Sequence, residues 1–259
     1  MMKKLVALHG GDHKTGTTML AQSLAELIAL RKKDMKVLLI TLNSRKNAGF
    51  VREKVQTIDD YRVQLDSRLL IREEFIQSTR RRNNFHMLAG LVREEEERYY
   101  HPETAEYLLK SIEDDFDLII SDTGCSLDNG LAYGGLRIAA QRFLVLNQME
   151  STIRRVEERR SRYQEAGIQF NQMILNQFQE KDPYSVDYLS ERLDFPKDRF
   201  LLVHQANYSR QAEMEYRTLM EYRDELYRED IRKLANVLLK YMGEEGLSPE
   251  RKGLWKNFI

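Results

Sequence analysis

Residues 5–29 place a short apolar strand, Leu5-Val6-Ala7-Leu8, before a glycine-bounded loop and then an amphipathic helix marked by Leu20, Leu24, Leu27 and Ile28. The loop is Gly11-Asp12-His13-Lys14-Thr15-Gly16-Thr17-Thr18. A loop that enters a helix in this way cradles phosphate, because its backbone N–H groups converge on the anion where the helix dipole also favours negative charge. Gly11 and Gly16 keep the spacing of such a loop, and Thr18 keeps the hydroxyl that meets magnesium. Thr17 stands where a lysine normally reaches the outer phosphates. The expected phosphate contacts are therefore the main chain of Gly11, Thr15, Gly16 and Thr17.

A second register reads His9-Gly10-Gly11-Asp12-His13-Lys14-Thr15 as a Lys-Gly-Gly-x-Gly-Lys-Thr loop whose first lysine and third glycine have become histidines. It would make Lys14 the phosphate lysine. The helical pattern favours the first register, since it starts at the right distance from Gly16-Thr17-Thr18 and three residues too late after Lys14-Thr15. Lys14 brings its charge to the loop mouth in either case. A tight strand-to-helix turn without a ligand is the plainer alternative.

The 259 residues suit one large α/β domain, and the balance of 41 basic against 41 acidic side chains gives no net pull toward nucleic acid or a membrane. A lone cysteine, Cys125, excludes an internal disulfide. The apolar start is too short for a signal sequence or a membrane span, which makes a reducing cytoplasm the expected compartment.

Continuous apolar runs recur at residues 35–42, 116–121, 142–146, 170–175 and 200–203, with a further one at 85–88, and helical stretches separate them. Strands alternating with helices predict a doubly wound, mostly parallel sheet with helices on both faces and ligands at the carboxyl ends of the strands. Residues 43–82 read as a helical excursion, with an N-cap at Thr57 before Asp59-Asp60-Tyr61 and a second helical pattern over residues 65–76. Arg80-Arg81-Arg82 and the acidic run 94–97 read as solvated helix ends or loops. Residues 151–165 read as a solvent-facing helix of Arg and Glu pairs that stops near Gly167. No internal repeat or Pro-rich linker divides the chain.

Residues 4–242 resemble the MinD/ParA group of P-loop ATPases, and the loop without its lysine is most similar to the divergent TadZ/CpaE-like members linked to Flp-type pili. The anchors are the loop, Asp117-Leu118-Ile119-Ile120-Ser121-Asp122-Thr123-Gly124, the run from Leu144 to Ser151, and Met173-Ile174-Leu175-Asn176-Gln177. The resemblance implies ATP and Mg2+, with Thr18 and Asp122 at the metal, Gly124 in the second switch and Asn176 on adenine. Independently of any family, an acid ending a buried strand beside a phosphate loop is placed to orient magnesium, and a nearby glycine leaves room for a terminal phosphate. A turn-capping role for Asn176 stays open.

Three departures point to feeble turnover or none. Thr17 replaces the loop lysine. Asp12 occupies the place of the family's lysine that reaches across a dimer, where a carboxylate would repel phosphate. The strand near residues 37–40 runs into Thr41-Leu42-Asn43 and so lacks the acid that positions the attacking water. Losing one such cation costs several kcal/mol at a phosphoryl-transfer transition state.

Residues 243–249 read as a break before a basic tail in which Leu254, Trp255, Phe258 and Ile259 share one helical face. The tail resembles the membrane-targeting helix of MinD, implying peripheral contact at the inner face of the membrane, while folding back onto the domain is the rival. The reading is a spatial organiser or assembly factor, by resemblance for a pilus or secretion machine, working as a homodimer with protein partners and without nucleic acid. An active ATPase with Lys14 as its cation and a nucleotide-free scaffold are the alternatives. A ligase or kinase on this fold would need a polar substrate constellation, and none is legible. His9, His13, His86, His101 and His204 are scattered without zinc spacing, and Cys125 reads as a small buried side chain.

Overall fold

The computed structural model describes residues 1–43 and 50–249. The tail residues Leu254, Trp255, Phe258 and Ile259 lie outside the described residues. An eight-stranded sheet carries the chain in the order β3-β4-β2-β5-β1-β6-β7-β8. Its strands are β1 (Met2–Gly10), β2 (Val37–Thr41), β3 (Arg80–Arg82), β4 (Phe85–Leu88), β5 (Leu118–Asp122), β6 (Ala139–Leu146), β7 (Gln172–Phe178) and β8 (Phe200–His204). All pairs are parallel except β3 with β4. The expected α/β sheet with helices on both faces is what forms.

Alternation along β1 sets the layers, because successive strand side chains point to opposite faces. Val6 and Leu8 enter a core built with α1 (Thr17–Arg31) and α9 (Glu225–Met242). Leu5 and Ala7 enter the opposite core, with α4 (Pro102–Ile112) and α5 (Gly130–Ile138). Further along that second face, α6 (Glu150–Glu165) and α7 (Val186–Arg192) pack on Leu144, Leu146, Met173 and Leu175. The central strands are buried on both sides, which explains their unbroken apolar runs.

Two local expectations need correction. Arg80-Arg81-Arg82 is the edge strand β3, antiparallel to β4 with Arg80 opposite His86 and Arg82 opposite Phe85, and not a helix end or loop. Charged side chains suit an edge, where they discourage pairing with another sheet. The helix over residues 65–76 is broken instead into α2 (Arg62–Asp66) and α3 (Arg72–Thr79). Between them Arg68 turns left-handed at φ 55, and the freed N–H groups of Leu70 and Ile71 donate to the Tyr107 hydroxyl at 3.1 Å and to Gln64 Oε1 at 3.0 Å. The N-cap expected at Thr57 takes the form of a capping box on the short 3-10 turn Ile58–Tyr61, with the Thr57 N–H donating to Asp60 Oδ2 at 2.8 Å.

After α9, Gly243 caps the helix in the left-handed region at φ 77. The chain then runs back along the domain: Leu247 is buried, its N–H donates to Asn236 Oδ1 at 2.6 Å, and Arg31 donates to the Ser248 carbonyl at 2.9 Å. Among the described residues no helix is long and apolar enough to cross a membrane.

Candidate functional site

The end of β1 and the start of α1 leave residues 11–16 to make the turn. Lys14 at φ 61 and Gly16 at φ 82 are both left-handed, a geometry that points neighbouring N–H groups to one side, as in anion-binding nests. The N–H groups of Gly10 and Gly11 are spent on the Gly124 and Val145 carbonyls, at 2.6 and 2.8 Å, so the expectation of a phosphate contact from the Gly11 N–H is corrected: the parallel pairing of β1 with β6 uses that donor. Those of Lys14, Thr15, Gly16, Thr17 and Thr18 meet no acceptor among the described residues. Five successive unpaired donors at a helix N-terminus are a receptor for oxyanions.

Hydroxyls hold the loop from within. Thr15 Oγ1 donates to the Asp12 carbonyl at 3.1 Å and lies 3.1 Å from Thr17 Oγ1. Both hydroxyls press on Gly10, where an added Cβ would come within 2.8 Å of Thr17 Oγ1 and 2.9 Å of Thr15 Oγ1. Thr17, in the lysine's place, is thus a buried strut. Lys14 is exposed and makes no ion pair among the described residues. Asn176 occupies the last regular position of β7 before Gln177 turns left-handed at φ 57, and its Nδ2 donates to the Thr15 carbonyl at 2.8 Å.

The two residues assigned to magnesium meet. Thr18 Oγ1 donates to Asp122 Oδ2 at 2.6 Å, and Asp122, at the end of β5, is 1% exposed. Asn43 Nδ2 donates to the same oxygen at 3.1 Å, and the Gly124 N–H donates to Oδ1 at 3.0 Å. A hydroxyl and a carboxylate in contact beside unpaired loop N–H groups fit a small hard cation that also holds phosphate oxygens. Gly124 is left-handed at φ 58, and a Cβ there would come within 2.8 Å of Asn43 Cβ. Asn43, in the stretch that lacks the family's acid, bonds Asp122 and packs on Gly124.

Asp12 does not stand free. Its Oδ1 accepts the His13 N–H at 2.7 Å and a guanidinium nitrogen of Arg155 at 2.8 Å. The reading of residues 151–165 as merely solvent-facing is therefore corrected. Gly11 packs so closely on α6 that a Cβ would lie 2.7 Å from Val156 and 3.5 Å from Thr152, which turns the Arg155 side of the helix toward the loop. One turn on, Arg159 donates to the Cys125 carbonyl at 2.6 Å. These arginines escaped the sequence reading because alternating Arg and Glu look alike on any solvated helix. The one usable sign was their i,i+4 spacing on the side that carries Thr152 and Val156.

Cys125 is half-exposed and not buried, because its Sγ faces the exposed His13 ring in the loop, 3.1 Å from Nδ1. His9 turns away from the anion receptor. It is fully buried, stacked on Phe170 with ring centroids 6.1 Å apart and edge-on to Tyr163 at 5.8 Å. Thr123 Oγ1 donates its proton to the Leu8 carbonyl at 3.0 Å, so His9 Nδ1, 3.1 Å from that oxygen, carries the hydrogen of the pair. His9 Nε2 then has no partner among the described residues. Burial, reinforced by the charge of Arg159, pushes the imidazole down to about 3 against the bond to Thr123. Tyr163 and Phe170 also line a cleft of about 540 Å³ between α6 and α7.

No protein-family profile matches the chain, and no characterised protein matches its sequence. Solved structures do. A ParA family ATPase from Chlorobium tepidum superposes with a TM-score of 0.77 over 90% of this chain and 98% of its own, at 15% identity. The septum site-determining protein MinD from Pyrococcus horikoshii, solved with Mg-ADP, gives 0.69 over 92% and 98%, at 19% identity. The MinC:MinD cell division complex from Aquifex aeolicus gives 0.71 over 96% and 100%, at 17% identity. The fold is that of the MinD/ParA P-loop ATPases.

Proposed function

We propose that the chain is a nucleotide-binding organiser of the MinD/ParA type with little or no turnover. The N–H groups of Lys14, Thr15, Gly16, Thr17 and Thr18 carry this reading, since no acceptor among the described residues uses them. In it the N–H groups of Thr15, Gly16 and Thr17 hold the phosphates, Gly11 lets the loop pack closely on α6, Lys14 adds charge, Thr18 and Asp122 hold Mg2+, Gly124 forms the switch and Asn176 reads adenine. The bond to the Thr15 carbonyl uses one Nδ2 hydrogen of Asn176, which leaves a second donor and Oδ1 for a base edge. Relatives in fold are described with Mg-ADP and with MinC, which supports ATP, Mg2+ and protein partners as the ligand classes. The similarity of the loop to TadZ/CpaE-like proteins makes pilus or secretion assembly the proposed task. Dimerisation, and a membrane contact through Leu254, Trp255, Phe258 and Ile259, complete the proposal.

Calorimetric titration of the full chain with ATP and ADP tests it. Binding is expected to need Mg2+ and to weaken by about tenfold in Thr18→Val, which removes one hydroxyl from the metal carboxylate and keeps the side-chain shape. Heat-free titrations at millimolar nucleotide, with no rise in melting temperature, would sink the reading in favour of a nucleotide-free scaffold. A second reading, slow hydrolysis with Lys14 as the cation, is favoured by that side chain's exposure and by its having no ion pair among the described residues. Lys14→Ala then abolishes a measurable turnover.

A further inference from the structure

The loop holds an anion of its own. Asp12 Oδ1 occupies one loop N–H, that of His13, and one guanidinium, that of Arg155. A phosphate oxygen seeks the same two kinds of donor, and a guanidinium fork binds phosphate better than a lone carboxylate because phosphate offers more charge and more acceptors. The Asp12 side chain is 14% exposed and that of Arg155 is 40% exposed, so the arginine's head reaches open solvent from the pair. The helix that carries it is fixed in contact with Gly11 through Thr152 and Val156. The backbone that carries Arg155 is therefore held beside the loop, within reach of it, whether or not the bond to Asp12 is made.

We propose that Arg155 is the relocated phosphate cation of this loop and that Asp12 is a built-in competing anion, which holds the guanidinium until a polyphosphate displaces it. The inference rests on the nucleotide-binding reading above and adds to it both the source of the missing charge and a brake on binding. Asp12 then serves two ends. It neutralises Arg155 and shields a cationic loop from smaller anions, and it sets a threshold that only a multiply charged ligand overcomes.

The test uses the full chain with Mg-ADP and inorganic triphosphate as probes, in wild type, Asp12→Asn, Arg155→Ala, the double variant and Arg154→Ala. Asparagine keeps the acceptor for the His13 N–H, so Asp12→Asn leaves the turn intact and removes only the charge. Arg154 is the control, a neighbouring arginine engaged with Glu150 at 3.4 Å. Asp12→Asn is expected to tighten triphosphate by about tenfold, and Arg155→Ala to weaken it by about tenfold in either background. Unchanged or weaker binding in Asp12→Asn overturns the competing anion. An Arg155→Ala loss no larger than that of Arg154→Ala overturns the relocated cation. If neither wild type nor Asp12→Asn binds either probe, the nucleotide-binding reading itself falls, a result distinct from both of the others.

Discussion

Gly16→Ala is expected to destabilise the protein by about 3 kcal/mol and to abolish nucleotide binding. Two costs add. The residue sits at φ 82, where an L side chain loses about 1–2 kcal/mol to its own carbonyl. Its Cβ would also overlap Asn176 Nδ2, forcing the amide off the Thr15 carbonyl and leaving a buried acceptor unpaired at about 1–3 kcal/mol. Urea unfolding measures the sum. The second cost depends on Asn176, so in an Asn176→Ala background the same substitution should cost only the backbone share. Equal costs in both backgrounds would show that Asn176 does not brace the loop.

Acidification should remove several kcal/mol through two buried histidines. His9 is held at about 3 by burial and by Arg159, and His86 at about 4 by burial and by the charges of Arg80 and Lys36. Each also has an Nε2 without a hydrogen-bond partner among the described residues. Both folded values lie below the ordinary histidine value of 6.5, so the unfolded chain takes up the protons first. Their stabilisation is complete above about pH 6.5 and is lost as the pH falls toward the folded values. At pH 5 each contributes a loss of about 2 kcal/mol relative to pH 8. His9→Asn keeps a donor where Nδ1 stood and cannot titrate. Between pH 6 and 4 it should flatten the dependence of stability on pH by about 1.4 kcal/mol per unit, one proton's worth. An unchanged slope would mean that His9 is protonated in the folded protein.

What could be read from the chain alone was what local pattern encodes. The strand, loop and helix of residues 2–31 declare themselves through alternation, two glycines and a leucine stripe. The contact of Thr18 with Asp122 follows from one further rule, that parallel strands end on the same side. The remainder depends on partners far away in sequence. Arg80-Arg81-Arg82 is a strand only because the turn at Asn84 returns β4 beside it, while Asn84 itself donates to the Ala29, Lys32 and Met35 carbonyls. Arg155 and Arg159 matter because Thr152 and Val156 press α6 against Gly11. Asn43 read as a missing acid, and its bond to Asp122 emerged only once β2 and β5 lay side by side.

The i,i+4 arginines of α6 stand about 6 Å apart along the helix axis, one tied to the loop at Asp12 and the other to Cys125, the residue after Gly124. One helix therefore braces two separate stretches of the mouth, so a load that shifts α6 bears on the turn at Asp12 and on Cys125 together.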